Sequence, residues 1–293
     1  MKYVWSIGLC IFLSLVAVVI WTRYGETNIT AKSTQMTNAI TIETYKVSYE
    51  DKNLYGVITA PKDYRSKKLP TIIMSHGFNA TLEQYDSFAE YFAKLGFVVY
   101  RFDFFGGSPR TKSGGEDMLN MSVTTELRDL SKVVDQLAAE PFVDATQMNL
   151  MGTSQGGVVT SLYAADHPDR VHKLLLIFPA FVLFDDVKET YENLGSPAIN
   201  AIPEKLTHHN ASLGSIYIKD ALAIDITAKQ KEISTPTMIV QGTADTTAPY
   251  HYAKEAQETI PNAILITVEG GRHRIDSHFK EVALSAFTDF LKK

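Results

Sequence analysis

From residue 40 onward, short apolar runs alternate with stretches in which apolar residues recur every three or four positions. The short runs are typical of strands buried on both faces, and the wider spacing is typical of amphipathic helices. The predicted strands are 40–48, 54–60, 69–74, 97–102, 148–151, 174–178, 237–240 and 264–268. The predicted helices are 82–95, 123–139, 155–166, 252–259 and 280–291. This order predicts an α/β fold with a mostly parallel central sheet and helices on both of its faces.

The alternation is interrupted between residues 181 and 233, after which strands and helices resume. A long segment between two strands of such a sheet is typical of a lid over a binding site. We therefore predict a small inserted lid and call residues 181–233 the lid segment. Aromatic residues in or near it are Phe181, Phe184, Tyr191, Tyr217 and Tyr250. They form either an apolar pocket for an acyl or aryl group or a small core of the lid itself.

The amino end differs in character from the rest of the chain. No charged residue occurs from Val4 to Trp21, a length at the lower edge of what crosses a bilayer as a helix. We predict an uncleaved, single-pass membrane anchor within residues 1–24, a polar linker over 25–39, and a globular domain over 40–293 that lies outside the cytoplasm. The alternative is a cleaved signal peptide and a secreted protein.

Composition narrows the classes of function. The 293 residues carry a net charge of -5, so the chain lacks the basic field that favours binding to nucleic acid. Cys10 is the only cysteine, which excludes an intrachain disulfide, and no cysteine–histidine group has the spacing of a zinc site. We expect neither a metal nor an organic cofactor. The composition leaves the oligomeric state open.

A serine between glycines follows one of the predicted strands. In "MNLMGTSQGG" the apolar run leads into Gly152, Thr153, Ser154, Gln155 and Gly156, and a predicted helix follows. A tight turn from strand to helix leaves little room for side chains at the two glycines and exposes the serine oxygen above the helix amino terminus. The pattern predicts that Ser154 is a catalytic nucleophile.

A serine hydroxyl needs a base, and the base needs an acid that orients it. Asp245 lies in the loop after the strand that ends at Val240, and His273 lies in the loop after the strand that ends at Val268. The carboxyl ends of parallel strands meet at one edge of the sheet, so we expect Ser154, Asp245 and His273 to converge there. Asp185 and Asp186 are the rival candidates for the acid, since they follow the preceding strand.

Attack on a carbonyl creates an oxyanion, which N–H donors must stabilise. One predicted donor is the backbone N–H of Gln155, directly after the nucleophile. The other is the backbone N–H of Phe78, in the "SHGF" loop after the strand 69–74. Gly77 in that loop lets the backbone approach the serine closely.

Five segments occur in order on the predicted loops, namely "SHGF", "DFFGGS", "GTSQGG", "GTADTTAP" and "GGRH". They resemble the α/β-hydrolase superfamily, in particular small bacterial feruloyl and cinnamoyl esterases and serine-aminopeptidase-like hydrolases. The resemblance covers residues from about 41 to the end. It implies the same triad and oxyanion hole, an α/β-hydrolase fold, and a lid whose return segment is 213–226. Two departures are Thr153, where the family often has histidine, and "FGGS" in place of glycine-x-glycine-x-serine.

These observations predict a serine hydrolase that cleaves carboxylic esters of small molecules through an acyl-enzyme. Neutral His273 is the working base in this mechanism, so activity is expected to rise with pH between about 6 and 7. Two alternatives remain open. One is a peptidase that cleaves small peptides with the same triad, and the other is a binding domain that has kept the fold without catalysis.

Overall fold

The structure, a computed structural model, describes residues 39–293. Within this range the strands are β1 (Ile40–Thr44), β2 (Val47–Tyr49), β3 (Lys52–Leu54), β4 (Gly56–Pro61), β5 (Leu69–Ser75), β6 (Val98–Phe102), β7 (Val143–Thr153), β8 (Lys173–Ile177), β9 (Lys205–His208), β10 (Ala211–Gly214), β11 (Thr237–Gly242) and β12 (Ala263–Val268). The α-helices are α1 (Asp86–Lys94), α2 (Val123–Ala138), α3 (Gln155–Asp166), α4 (Leu183–Asn193), α5 (Ser215–Leu222), α6 (Ile226–Glu232), α7 (Tyr250–Thr259) and α8 (Ser277–Leu291). Short 3-10 helices occur at Tyr64–Ser66, Leu82–Tyr85, Pro168–Arg170 and Ile199–Ala201.

Eight strands form the central sheet, in the order β1-β4-β6-β5-β7-β8-β11-β12. Strand β4 is antiparallel to both of its neighbours, β1 and β6. The strands from β6 to β12 in this order pair in parallel. The predicted mostly parallel sheet is therefore confirmed, and the carboxyl ends of its parallel strands share one edge.

Hydrophobic cores lie on both faces of the sheet, because successive strand residues point to opposite sides. One core contains Ile73, Leu150 and Leu176 together with apolar residues of α2, α3 and α7. The other contains Ile72, Met151 and Leu175, the immediate sequence neighbours of those three, with apolar residues of α1 and α8. This arrangement explains why the strands read as continuous apolar runs, and it confirms that helices cover both faces.

Several element boundaries differ from the sequence prediction. The predicted strand 40–48 is divided into β1 and β2, and β2 pairs with β3 in a separate two-stranded sheet. Strand β7 begins five residues earlier than expected, at Val143, where a polar stretch prolongs it. Helix α8 begins at Ser277, because the side chain of Asp276 accepts a hydrogen bond from the N–H of Phe279 at 3.0 Å and caps the helix.

The lid segment contains helices α4, α5 and α6 and the hairpin of β9 and β10. Its two turn residues, His209 and Asn210, have φ of 46° and 60°. Positive φ at both positions is the conformation of a tight hairpin turn, and an Asn is common there. After the hairpin the chain returns close to the core, since a Cβ at Gly214 would lie 1.9 Å from the carbonyl oxygen of Leu119.

Within residues 39–293 no helix combines the length and the apolar character needed to span a bilayer. The predicted anchor from Val4 to Trp21 lies outside the described residues, as does almost all of the predicted linker. Both stay predictions from the sequence.

Candidate active site

Ser154 occupies the sharp turn between β7 and α3. Its φ of 54° and ψ of -123° are a strained conformation for a residue other than glycine. A Cβ at Gly152 would lie 2.3 Å from the carbonyl oxygen of Gly156, and a Cβ at Gly156 would lie 2.1 Å from that of Ser75. Both positions therefore require glycine, as the sequence pattern predicted. The N–H of Ser154 donates to the carbonyl of Ile177 at 3.0 Å, which anchors the turn to β8.

His273 lies beside Ser154, although the two are 119 residues apart in the chain. The distance from its Nε2 to Oγ of Ser154 is 3.0 Å, and that from its Nδ1 to Oδ2 of Asp245 is 2.8 Å. A carboxylate only accepts hydrogen bonds, so Nδ1 carries the proton and Nε2 is free to accept the serine proton. The imidazole packs on the ring of Phe178, with 4.4 Å between the centroids.

The side chain of Asp245 is buried, and its charge is matched by hydrogen bonds. Oδ1 accepts from the N–H of Thr247 at 2.9 Å and from that of Ala248 at 2.8 Å. Oδ2 accepts from Nε2 of Gln241 at 3.1 Å in addition to facing His273. These donors offset the cost of burying the carboxylate and fix its orientation. Sequence reasoning missed Gln241, whose only signal is a polar residue at the end of a buried strand.

The structure places the rival acids elsewhere. Oδ2 of Asp185 accepts from the hydroxyl of Tyr252 at 2.5 Å, and Asp186 lies 3.1 Å from Nε2 of His209. The carboxylate that the structure brings to His273 is that of Asp245.

The two residues predicted to donate to the oxyanion, Phe78 and Gln155, lie in the loop after β5 and at the start of α3. The loop after β5 approaches so closely that a Cβ at Gly77 would lie 3.1 Å from Cβ of Ser154. Among the described residues, no protein acceptor takes a hydrogen bond from the backbone N–H of Phe78 or of Gln155. Both residues line a cavity together with Ser154. Neither N–H group is therefore committed to a protein acceptor in the described part of the chain, as the predicted role requires.

The buried imidazole of His76 holds the loop that carries Phe78. Its Nε2 accepts from the N–H of Phe104 at 3.1 Å, so Nδ1 carries the proton and donates to the carbonyl of Gly77 at 2.8 Å. Burial lowers the pKa of His76, which keeps the ring neutral. His76 shapes the loop and does not contact Ser154.

Two cavities flank Ser154 and His273. The first, called the lid-side cavity, has a volume of about 210 Å³ and extends to the lid segment, with Leu183 and Tyr217 in its wall. The second, called the outer cavity, has a volume of about 410 Å³ and is lined by Gln84, Arg274 and Ile275, among others. Ser154 thus borders a cavity on each of two sides.

The aromatic residues of the lid segment divide between the two predicted roles. Tyr217 lines the lid-side cavity. Phe181 belongs to the main hydrophobic core, and Phe184 and Tyr191 pack against that core. Most of these rings therefore pack into the main core of the domain rather than into a separate core of the lid, and Tyr217 belongs to that core as well as to the cavity wall.

Three polar residues also line the lid-side cavity. They are Asp186, His208 and His209, and Asp186 pairs with His209. Burial lowers the pKa of His208 to about 4, so this ring is neutral at physiological pH. Among residues 39–293, no cluster of three or more histidine, cysteine or acidic side chains is placed to hold a metal ion.

Comparison with known proteins agrees with this architecture. Residues 66–221, just over half of the chain, match the family model described as serine aminopeptidase, S33. Residues 220–293 match a second model, described as TAP-like protein. The solved structure of Est1E from Butyrivibrio proteoclasticus with ferulic acid bound is similar, with a TM-score of 0.74 at 25% identity over 85% of this chain and 98% of that one.

Several curated relatives are named as lipases. The monoacylglycerol lipase ABHD6 of Homo sapiens is 30% identical over 140 residues, which cover 46% of this chain and 39% of that protein. The monoglyceride lipase homolog of Monkeypox virus is 25% identical over 247 residues, covering 74% of this chain and 86% of that protein. The chain thus spans less than half the length of the human relative. These matches agree with the fold and with the serine in the sharp turn, or elbow, between β7 and α3. The chain belongs to the serine aminopeptidase S33 family and is a serine hydrolase of the α/β-hydrolase type.

Proposed function

We propose that the protein is a serine esterase that hydrolyses carboxylic esters of small molecules. Nε2 of His273 takes the proton of the Ser154 hydroxyl as Oγ attacks the ester carbonyl carbon. The N–H groups of Phe78 and Gln155 donate to the oxyanion. As the C–O bond breaks, the alcohol leaves with the proton from Nε2. Water then attacks the acyl-enzyme by the same route and releases the acid.

One observation carries this proposal, namely the unbroken line from Asp245 through His273 to Ser154. The two distances, 2.8 Å and 3.0 Å, are those of hydrogen bonds, and the line ends on the serine of a strained elbow. Asp245 holds the imidazole in the tautomer that accepts the serine proton. No metal or cofactor takes part in these steps.

The two cavities suggest how an ester lies in the site. The lid-side cavity has a largely apolar wall that includes Val182, Leu183 and Tyr217, so we assign it to the acyl group. Its volume of about 210 Å³ exceeds the roughly 150 Å³ that holds a benzene molecule, so it suits a short acyl chain or a single ring. The outer cavity, next to His273 and Arg274, takes the alcohol, which must receive a proton from the imidazole.

The test combines labelling with a panel of substrates. A fluorophosphonate is expected to label the protein once per chain, and Ser154→Ala is expected to abolish both the label and hydrolysis. Short-chain and aryl p-nitrophenyl esters should be cleaved faster than long-chain ones, because of the small lid-side cavity. Absence of labelling in a folded wild-type protein would instead indicate a binding domain without catalysis.

A small-peptide serine peptidase is the second candidate, and the description of the matching family model favours it. An amide can acylate Ser154 by the same route, provided that His273 protonates the leaving amine. Aminoacyl p-nitroanilides assayed beside the p-nitrophenyl esters separate the two functions. A higher kcat/KM on the anilides would replace esterase by peptidase in the proposal.

We also propose the membrane placement that the sequence predicts. The support is the charge-free stretch from Val4 to Trp21 and the polar residues 25–39 that follow it. The full chain should pellet with membranes, and a chain that begins at Gly25 should stay in the supernatant. Protease accessibility in intact cells distinguishes an external domain from an internal one. Release of a shortened chain into the medium would indicate a cleaved signal peptide.

A further inference from the structure

A chain of hydrogen bonds runs behind the proposed oxyanion donor Gln155. The hydroxyl of Tyr217 donates to Oε1 of Gln155 at 2.8 Å, and Nε2 of Gln155 donates to Oε2 of Glu126 at 2.9 Å. Tyr217 is 2% exposed, and Glu126 and Gln155 are each 1% exposed. The side chain that follows the nucleophile is thus held at both of its polar atoms.

The three residues come from three different elements. Glu126 lies in α2, Gln155 begins α3, and Tyr217 lies in α5 of the lid segment. A second contact, between the hydroxyl of Ser122 and the carboxylate of Asp220, also joins the start of α2 to α5. The network therefore couples the lid segment to the residue that supplies an oxyanion donor.

Glu126 is the acceptor at the end of this chain. Its Oε2 accepts from Gln155, and its Oε1 is buried without a hydrogen-bond partner. An ionised carboxylate with one buried oxygen that lacks a hydrogen-bond partner is energetically unfavourable, whereas the neutral acid places only a weaker dipole there. The geometry therefore favours the protonated form of Glu126.

The charged surroundings do not favour the anion either. Asp129, on the same helix, adds a negative charge, and no salt bridge joins Glu126 to a cation among the described residues. The titratable group facing it from α5 is the tyrosine Tyr217, whose own pKa burial raises. Burial raises the pKa of Glu126 to about 8, and that of Asp129 to about 6.

We propose that Glu126 is a positioning residue of the oxyanion hole, which holds Gln155 in place while neutral and lowers the rate when it ionises. While Glu126 is neutral, it adds no negative charge near the backbone N–H of Gln155, which can donate to the oxyanion unopposed. The anion places a negative charge beside the residue that carries this donor, since Oε2 of Glu126 lies 2.9 Å from the side-chain Nε2 of Gln155. The low dielectric of the interior strengthens the repulsion between this charge and the oxyanion. This inference rests on the proposed esterase function.

The test is the pH profile of kcat for a p-nitrophenyl ester in wild type and in Glu126→Gln. The amide is a permanently neutral counterpart of the acid and keeps an acceptor for Gln155. The wild-type rate is expected to fall about tenfold between pH 7 and pH 9, since a group with a pKa of about 8 is about nine-tenths ionised at pH 9. Glu126→Gln should lack this fall, so that its own kcat values at pH 7 and pH 9 are equal within error. An equal alkaline fall in both proteins would overturn the inference.

A second pair of variants tests the positioning itself. Tyr217→Phe removes the donor to Gln155 and is expected to lower kcat about five- to tenfold at pH 7, the size of one hydrogen bond. Tyr163→Phe is its control, because the hydroxyl of Tyr163 is buried on α3 without a partner. Equal kcat values in the two variants would show that the hydrogen bond from Tyr217 does not position Gln155 and would overturn the inference.

A spectroscopic reading separates this inference from the proposed function. The infrared difference between wild type and Glu126→Gln isolates the carbonyl band of the protonated acid. That band should persist at pH 7 and disappear by pH 9, whatever the substrate. Its absence at pH 7 would overturn the inference even in an active esterase. Its presence in a protein that cleaves no ester would contradict the esterase and leave the buried acid established.

Discussion

Oδ2 of Asp245 lies 2.8 Å from Nδ1 of His273, and the other oxygen of the same carboxylate is occupied by two backbone N–H groups. Because Oδ1 of Asp245 is held by these two donors, Oδ2 is the oxygen that faces the imidazole. Because Asp245 accepts at every contact, it determines which nitrogen of His273 carries the proton. The loop from Asp245 to Ala248 thus determines the tautomer of His273.

Asp245→Asn is expected to lower kcat on the order of 10⁴-fold, the size of the corresponding effect in serine proteases. The two backbone donors retain the amide oxygen, so the amide NH₂ must face Nδ1 of His273 and force the proton onto Nε2. The imidazole can then no longer accept the serine proton. Steady-state kinetics with a check of folding by circular dichroism measure this. A folded variant with near wild-type kcat would contradict the role of Asp245.

Gln241→Met is expected to lower kcat about tenfold with little change in KM. The substitution removes the side-chain N–H that donates to Oδ2 of Asp245 and leaves the carboxylate free to shift. The control is Gln147→Ala, since Gln147 is exposed on β7 and is separated from Ser154 by roughly 23 Å of extended strand. If both variants have the same kcat, Gln241 does not orient the acid.

Gly156→Ala is expected to destabilise the fold by about 1–3 kcal/mol and to lower activity, because the new methyl group would overlap the carbonyl oxygens of Ser75 and His76. Gly157→Ala is the matched control on the same helix. Its Cβ would meet Pro179 at 3.0 Å, a smaller overlap that the better helix propensity of alanine partly offsets. Urea unfolding of both variants gives the comparison. Equal losses of stability would show that the strain at the elbow is not specific to Gly156.

Glu126 should also make folding stability depend on pH. The folded state raises its pKa from 4.5 to about 8, so between these values the folded protein holds a proton that the unfolded chain has released. Stability from this group is therefore present below about pH 4.5 and is lost as pH rises toward about 8. Glu126→Gln does not titrate, so its urea midpoint should gain on that of wild type from about pH 5 to about pH 9. A difference between the two proteins that stays constant with pH would contradict the raised pKa.

The parts of the site that were predicted from sequence depend on local chemistry. Ser154 was identified because a tight turn needs glycines at fixed offsets, and the loops of Asp245 and His273 because apolar strands precede them. The hairpin of β9 and β10 was not predicted, since each of its strands has only 4 residues, which is too short to establish a periodicity among the polar residues around it.

Glu126 and Gln241 were missed for a different reason. Both are polar residues that the spacing of their apolar neighbours places on the buried face of a helix or strand. Glu126 comes three residues after Val123 and four before Leu130, on the buried face of α2. The sequence shows that such a residue is buried. Its partner is unknown until the fold brings Gln155 from a distant element.

The contact of Gly214 with Leu119 has a consequence for changing the substrate range of the enzyme. Because no methyl group fits there, the path from β10 into α5 tolerates little change, and Tyr217 depends on it. Helix α4 borders the lid-side cavity through Leu183 and Asp186 and has no glycine that a side chain would disturb, whereas the positive φ of His209 and Asn210 restricts the turn. Libraries that aim to reshape the lid-side cavity should therefore diversify its α4 residues, keep the turn at His209 and Asn210, and leave residues 211–222 unaltered.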